Sequence, residues 1–285
     1  MRAPGVDKQK NVSGLLGDTK HRDYAPKLSL FNRFAAPELR KAIASLQLEP
    51  GAHVLDAGCG TGEALQWLRD AVGDEGTVTG LDLSSAHVAA ARAQAPADAL
   101  VIQADLDRLP LPARCFDLVW SVNTINHLRD PDAGLATLAA LLRPGGRLAL
   151  GQSSLLPDMY FAWDSRLERL TNEAVRQYYR DRYALDERDL TAVRALVGRL
   201  RRAGLKDVRA RTFIIERVSP VGTDDENYLL EAIFRATWGE RLRPYLSDAD
   251  HAELARLCDP LDPGYALRRS DFHFLQTFTL VVGVA

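Results

Sequence analysis

The chain is 285 residues long, 46% hydrophobic and 26% charged, with a formal net charge of -2. That composition excludes a disordered or fibrous polypeptide, and a near-neutral balance offers no global basic field for a phosphate backbone, so nucleic acid is not an expected partner. Three scattered cysteines, Cys59, Cys115 and Cys258, form neither a disulfide framework nor a zinc pattern, and no metal site is expected.

Residues 1–22 are polar and aperiodic and read as a flexible tail; a single domain is expected over 23–285, beginning with a helical cap over 23–50. Leu39, Ala42, Ile43 and Leu46 recur at helical spacing behind Pro37, and Glu49-Pro-Gly51 ends that helix. Strand and helix then alternate. Strands are expected at 53–57, 77–82, 99–103, 116–122 and 147–151, and helices over 63–72, from an N-cap at Ser84 to about 95, and over 131–142 behind an N-cap at Asp130. Near-continuous apolar strands between amphipathic helices predict a doubly wound, mostly parallel α/β sheet of seven strands, completed by strands 208–218 and 272–284. Two insertions interrupt the rhythm. The first, 152–186, carries a helical stripe through Trp163, Leu167, Leu170, Ala174 and Tyr178; the second, 219–271, carries a helix near 226–238 and another capped by Ser247.

A nucleoside held at the carboxyl edge of such a sheet needs glycine at the first strand-to-helix turn and an acid at the end of the second strand. Gly58, Gly60 and Gly62 supply the turn, and Asp82 the acid. Nicotinamide-binding turns are spaced GxGxxG, and here Glu63 stands where the third glycine would fall, which counts against an oxidoreductase.

The segment Val54-Leu-Asp-Ala-Gly-Cys-Gly-Thr-Gly62 resembles the first motif of class I S-adenosylmethionine-dependent methyltransferases. The resemblance continues through Gly80-Leu-Asp-Leu-Ser84, Gln103-Ala-Asp-Leu-Asp107, Cys115-Phe-Asp-Leu-Val119 and Leu142-Arg-Pro-Gly-Gly-Arg-Leu148, and leans toward the quinone, sterol and natural-product branch. It implies S-adenosylmethionine as cofactor and S-adenosylhomocysteine as product. By the same resemblance Gly58, Gly60 and Gly62 approach the methionine and ribose, Asp82 binds the ribose, and Leu83, Asp105 and Leu106 hold the adenine. Asn123 lines the methionine end, and Asp56 orients the loop or the amino group.

Methyl transfer from a sulfonium requires alignment and exclusion of water, and for some acceptors a base. His127, just past the fourth strand, is the candidate base, with a structural role bracing the Asp130-Pro-Asp132 turn as the competing reading; Asn126 departs from the residue types usual in this family there. His273 and Tyr24 are secondary candidates, and Asp224-Asp225 read as helix caps. Insertions after the fifth and sixth strands pass over the carboxyl edge, which implies an enclosed pocket and a small, apolar or aromatic substrate, a specialised metabolite or isoprenoid quinone. Only six of the 36 basic residues are lysines and alanine is abundant, as in many proteins from GC-rich bacterial genomes; together with the resemblance this points to specialised metabolism or isoprenoid-quinone methylation. A non-catalytic cofactor-binding sensor or scaffold is the alternative. No membrane span is present and a cytoplasmic location is expected; oligomeric state is not legible.

Overall fold

The computed structural model describes residues 23–106, 108–153, 160–161, 164–183 and 192–285. The tail expected over 1–22 and the stripe residue Trp163 lie outside them, as does Asp107 of the third motif.

Two helices open the described chain: α1 (Ala25–Phe34) and α2 (Ala36–Ala44), each with proline in its first turn. The alternation follows as β1 (His53–Ala57), α3 (Glu63–Val72), β2 (Thr77–Asp82), α4 (Ser85–Gln94), β3 (Leu100–Gln103), β4 (Phe116–Val122), α5 (Pro131–Ala140) and β5 (Leu142–Ser153). The expected caps form. Ser84 Oγ accepts the His87 N–H, and Asp130 Oδ1 accepts the Ala133 N–H at 2.9 Å.

After β5 come a two-residue strand, β6 (Tyr160–Phe161), a long helix, α6 (Ser165–Tyr183), and α7 (Leu196–Arg202), with Gly204 beyond it at φ +84. Strand β7 (Lys206–Val218) leads into the second insertion. There α8 (Thr223–Asn227) runs directly into a π-helical stretch, Tyr228–Trp238, and α9 (Asp248–Leu257) is capped by Ser247 Oγ accepting the Asp250 N–H. The chain closes with β8 (His273–Val284).

The strand order is β3-β2-β1-β4-β5-β8, with β7 and the short β6 both paired to β8. Strands β1 to β5 pair in parallel, and β8 is antiparallel to each of its neighbours. The doubly wound sheet is therefore as expected, with one addition: β6 extends the sheet by pairing with Phe274 and Leu275, at the end of β8 that reaches past β5.

Alternation along the central strands separates two cores. Val54, Leu118 and Trp120 face α2 and α3 with Leu39, Ile43, Leu65 and Leu68; Leu55, Val119 and Leu148 face α5 and α7 with Leu135, Leu138, Leu196 and Leu200. The order reverses between β1 and β4, so a crevice opens at their carboxyl ends.

The second insertion packs against α1 and against α6. Tyr228 stacks on Phe34 at 4.2 Å and tilts against Phe31; both phenylalanines belong to α1. Arg166 of α6 pairs with Asp250 and Glu253 of α9, and Tyr245 Oη donates to Asp181 of α6 at 3.0 Å. Among the described residues no helix is long and apolar enough to cross a membrane.

Candidate functional site

The glycine turn between β1 and α3 is tied to the end of β2 by backbone bonds, Gly58 N–H and Cys59 N–H both donating to the Leu81 carbonyl at 2.7 and 2.9 Å. Its three glycines have left-handed φ values of +82, +54 and +91, which only glycine adopts without strain. Each is further constrained by a neighbour. A Cβ on Gly58 would collide with the Thr124 side chain, one on Gly60 would sit 3.1 Å from Leu28 Cδ1, and one on Gly62 would lie 2.9 Å from Ala91 of α4. Gly62 is thus where α3 packs against α4, whereas Gly58 and Gly60 form the part of the turn that faces the β4 loop and α1.

Asp82, at the end of β2, organises the opposite wall. Oδ2 accepts the Gly60 N–H at 2.9 Å, while Oδ1 accepts the Ser84 N–H at 2.9 Å and lies 3.2 Å from His87 Nδ1. A carboxylate has about four lone-pair positions, and three are occupied by the chain's own donors. Among the described residues no donor takes the remaining one, on Oδ2.

Asp56 lies beneath the turn on the face of β1 toward α3. It is 2% exposed, and burial, aided by the negative charges of Asp82 and Glu63, pushes its carboxyl up to about 8. Glu63 opens α3; its Oε2 accepts from Thr61 Oγ1 at 2.6 Å and Asn32 Nδ2 at 2.7 Å, and its Oε1 is buried with no hydrogen-bond partner. An orphaned acceptor beside a neutralised acid is an arrangement that favours a cationic donor. The Cys59 thiol is buried and raised well above its ordinary value, first by burial and then by Asp56, so it serves packing.

Asn123 closes the β4 end with φ +53. Its Oδ1 gathers three donors, Ser153 N–H at 2.8 Å, Ser153 Oγ at 3.0 Å and Gln152 Nε2 at 3.0 Å, which joins β4 to the end of β5. His127 ends a 3-10 turn, Ile125–His127, on the same edge and is half-buried; Asn126 in that turn has a buried Oδ1 without a partner. Leu83 is half-buried with its carbonyl accepting from Gln103, Asp105 is half-buried, and Leu106 is buried. All three stand at the carboxyl ends of β2 and β3.

The other sequence candidates fall elsewhere. His273 Nε2 lies 2.8 Å from Glu216 on the outer strands, and Asp225 is held by Arg217, which also grips Glu38 of α2. Tyr178 and Tyr183 each pack on Tyr179, and Tyr178 on Tyr245, so these aromatics pack within the insertions themselves. Four participants escaped the sequence reading: His87, Thr124, Asn32 and Leu28. Of these only His87 carried a signal, as the single polar side chain on the buried face of α4 with Val88 and Ala91.

Residues 55–150 match the family described as Methyltransferase domain. The chain is 36% identical over 149 residues to a 27-O-demethylrifamycin SV methyltransferase of Amycolatopsis mediterranei, covering 50% of this chain and 54% of that protein. It is 38% identical over 162 residues to a malonyl-[acyl-carrier protein] O-methyltransferase of Enterobacter lignolyticus, covering 56% and 61%. It thus spans little more than half the length of these curated relatives. Its fold is similar to that in a solved complex between the Haloferax volcanii Trm112 methyltransferase activator and the putative methyltransferase, with a TM-score of 0.53 at 23% identity over 93% of this chain and 98% of that one. Over residues 55–150 the chain is therefore similar to a methyltransferase domain.

Proposed function

We propose that the protein transfers the methyl group of S-adenosylmethionine to a small, apolar or aromatic metabolite and releases S-adenosylhomocysteine. The observation that carries this reading is the β1/β4 reversal, where a positive-φ glycine turn is bonded to Asp82 beside the buried Asp56. The residues fit the cofactor. Its sulfonium and ammonium are cationic, and the site offers Asp56 together with the orphaned Glu63 Oε1. When bound, the cofactor supplies a methyl group already activated for in-line displacement.

The chain's own residues then have separable tasks. Gly58 and Gly60 let the backbone approach, with Gly62 fixing the turn on α4; the open lone pair of Asp82 accepts a ribose hydroxyl; and Leu83, Asp105 and Leu106 form the adenine wall. Asn123 Nδ2 faces the methionine end while its Oδ1 braces β5. His127, on the β4 edge, takes the acceptor's proton where the acceptor has one to lose.

The acceptor site lies under α1, the π-helical stretch and α6, which connect to one another through Phe34, Tyr228, Tyr245 and Asp181. Such a covered site excludes water and suits a metabolite rather than a macromolecular surface. A specialised metabolite of the kind named for the rifamycin relative fits this enclosure, and an isoprenoid quinone is a further acceptor to try. Three free cysteines are compatible with a reducing cytoplasmic setting.

The test is incubation with methyl-labelled cofactor and a set of phenolic, quinone and polyketide acceptors, read by mass spectrometry. A labelled product supports the reading. Tight S-adenosylhomocysteine binding without turnover on any acceptor supports a sensor or scaffold instead, and calorimetry showing NAD bound with S-adenosylhomocysteine ignored overturns the cofactor assignment.

A further inference from the structure

Helix α1 meets the cofactor elements through three residues spaced four apart, a spacing that places them on one helical face. The Tyr24 backbone N–H donates to His87 Nε2 at 3.3 Å. Leu28 lies over Gly60, and Asn32 Nδ2 donates to Glu63 Oε2. The first contact is the informative one, because it bears on the ring that touches Asp82.

His87 sits in the first turn of α4 and is 1% exposed. Its Nε2 accepts a proton-bearing backbone N–H, so in the neutral ring the proton resides on Nδ1. Nδ1 is 3.2 Å from Asp82 Oδ1 and is therefore the donor to that carboxylate. The Tyr24 ring packs edge-on against the imidazole at 4.5 Å and 85°, which holds the ring plane. Two backbone donors, Ser84 and Gly60, anchor Asp82 from the chain; the imidazole is the side-chain donor that ties it to another element.

We infer that His87 is a positioning residue for cofactor binding: its Nδ1–H fixes the Asp82 carboxylate with one Oδ2 lone pair toward the ligand, and its Nε2 seats the start of α1 on the same ring. The ribose acceptor and the N-terminal cap are thereby set together. This rests on the reading of Asp82 as the ribose acceptor given above.

Three replacements separate the two nitrogens, and wild-type binding of S-adenosylhomocysteine by calorimetry is the reference. His87→Phe keeps ring bulk and removes both nitrogens; it weakens binding about tenfold, the loss of one charge-assisted hydrogen bond. His87→Asn keeps a donor near the Nδ1 position and returns affinity to within about threefold of wild type. His87→Gln keeps an acceptor near Nε2 but no donor to Asp82, and binds as weakly as His87→Phe. Hydrogen exchange adds a second readout: cofactor protects the amides of residues 23–34 in wild type and fails to do so in His87→Asn, although affinity is retained. Nitrogen-15 NMR of the wild-type imidazole shows the Nδ1-protonated tautomer, a signature that does not depend on any variant folding. Phe binding as tightly as wild type, Asn binding no better than Phe, or an Nε2-protonated tautomer would overturn the inference. Wild type that ignores S-adenosylhomocysteine fails the parent reading instead, and is told apart by that reference titration alone.

Discussion

Asp56 makes the sharpest prediction, because its environment couples cofactor binding to a proton. With the carboxyl raised to about 8 by burial and by Asp82 and Glu63, the cofactor-free protein holds Asp56 about nine-tenths protonated at pH 7. A unit cation within about 5 Å at an effective dielectric near 20 is worth about 3 kcal/mol, or roughly two pKa units. Binding the cationic cofactor should therefore lower the Asp56 pKa and release part of a proton at pH 7. Calorimetry of S-adenosylmethionine binding in two buffers of different ionisation enthalpy reads that proton directly. The dissociation constant falls about tenfold as pH rises from about 6.5 to 8 and levels off above, since the ligand binds the ionised form. In Asp56→Asn both the proton release and the pH dependence disappear. No proton release by wild type at pH 7, together with an affinity independent of pH, would refute the reasoning.

The same shift acts on stability. A folded-state value raised from 3.8 to about 8 means Asp56 supports the cofactor-free fold fully below pH 4 and progressively less as pH climbs to 8. Four units correspond to roughly 5 kcal/mol as an upper bound, so Asp56→Asn should be more stable than wild type by a few kcal/mol at pH 8 and equal to it near pH 4, as read by urea melts. Gly58→Ala places a side chain at φ +82 against Thr124 and should lower stability by about 1–3 kcal/mol and cofactor affinity more than tenfold, with partial recovery in Gly58→Ala/Thr124→Gly because only the collision is relieved. Asp82→Ala removes the open lone pair and the acceptor of the Gly60 and Ser84 amides, and should weaken S-adenosylhomocysteine by about 10–100-fold in calorimetry. His127→Ala should leave cofactor affinity unchanged and lower kcat about 100-fold on an acceptor that must lose a proton; unchanged turnover assigns His127 to bracing the turn. Arg217→Met strands Glu38, 10% exposed, and should cost about 3 kcal/mol in thermal or urea unfolding, without changing cofactor affinity.

The sequence by itself determined the alternating core and the cofactor end. Strands 53–57, 77–82 and 116–122 fall where expected, because near-continuous apolar runs bounded by glycine, proline and capping residues leave few alternatives to a buried parallel strand. Ser84, Asp130 and Ser247 were legible as caps because capping is local, an oxygen reaching an amide three residues on. The glycine turn and the acid beside it were legible as residue types at strand ends, and in the fold the turn has positive φ values and Asp82 Oδ2 accepts the Gly60 N–H.

Tertiary structure alone decided which atoms of those residues remain for a ligand. The resemblance implied that Asp82 binds a ribose; the fold commits three of its about four lone-pair positions to Gly60, Ser84 and His87. Sequence attributed Gly58 to ligand approach, yet the immediate constraint is Thr124, 66 positions away in the chain and adjacent only because β4 lies beside β1. The helical stripe of α6 was legible from spacing, whereas the partners of its tyrosines, Tyr178 on Tyr179 and on Tyr245 from the second insertion, were not. Likewise His87, Tyr24, Leu28 and Asn32 carry no joint signal in the chain, because α1 and α4 meet only when the sheet brings them to one edge. Local rules fix elements and caps within a few residues; charge, burial and lone-pair occupancy depend on neighbours that only the closed fold supplies.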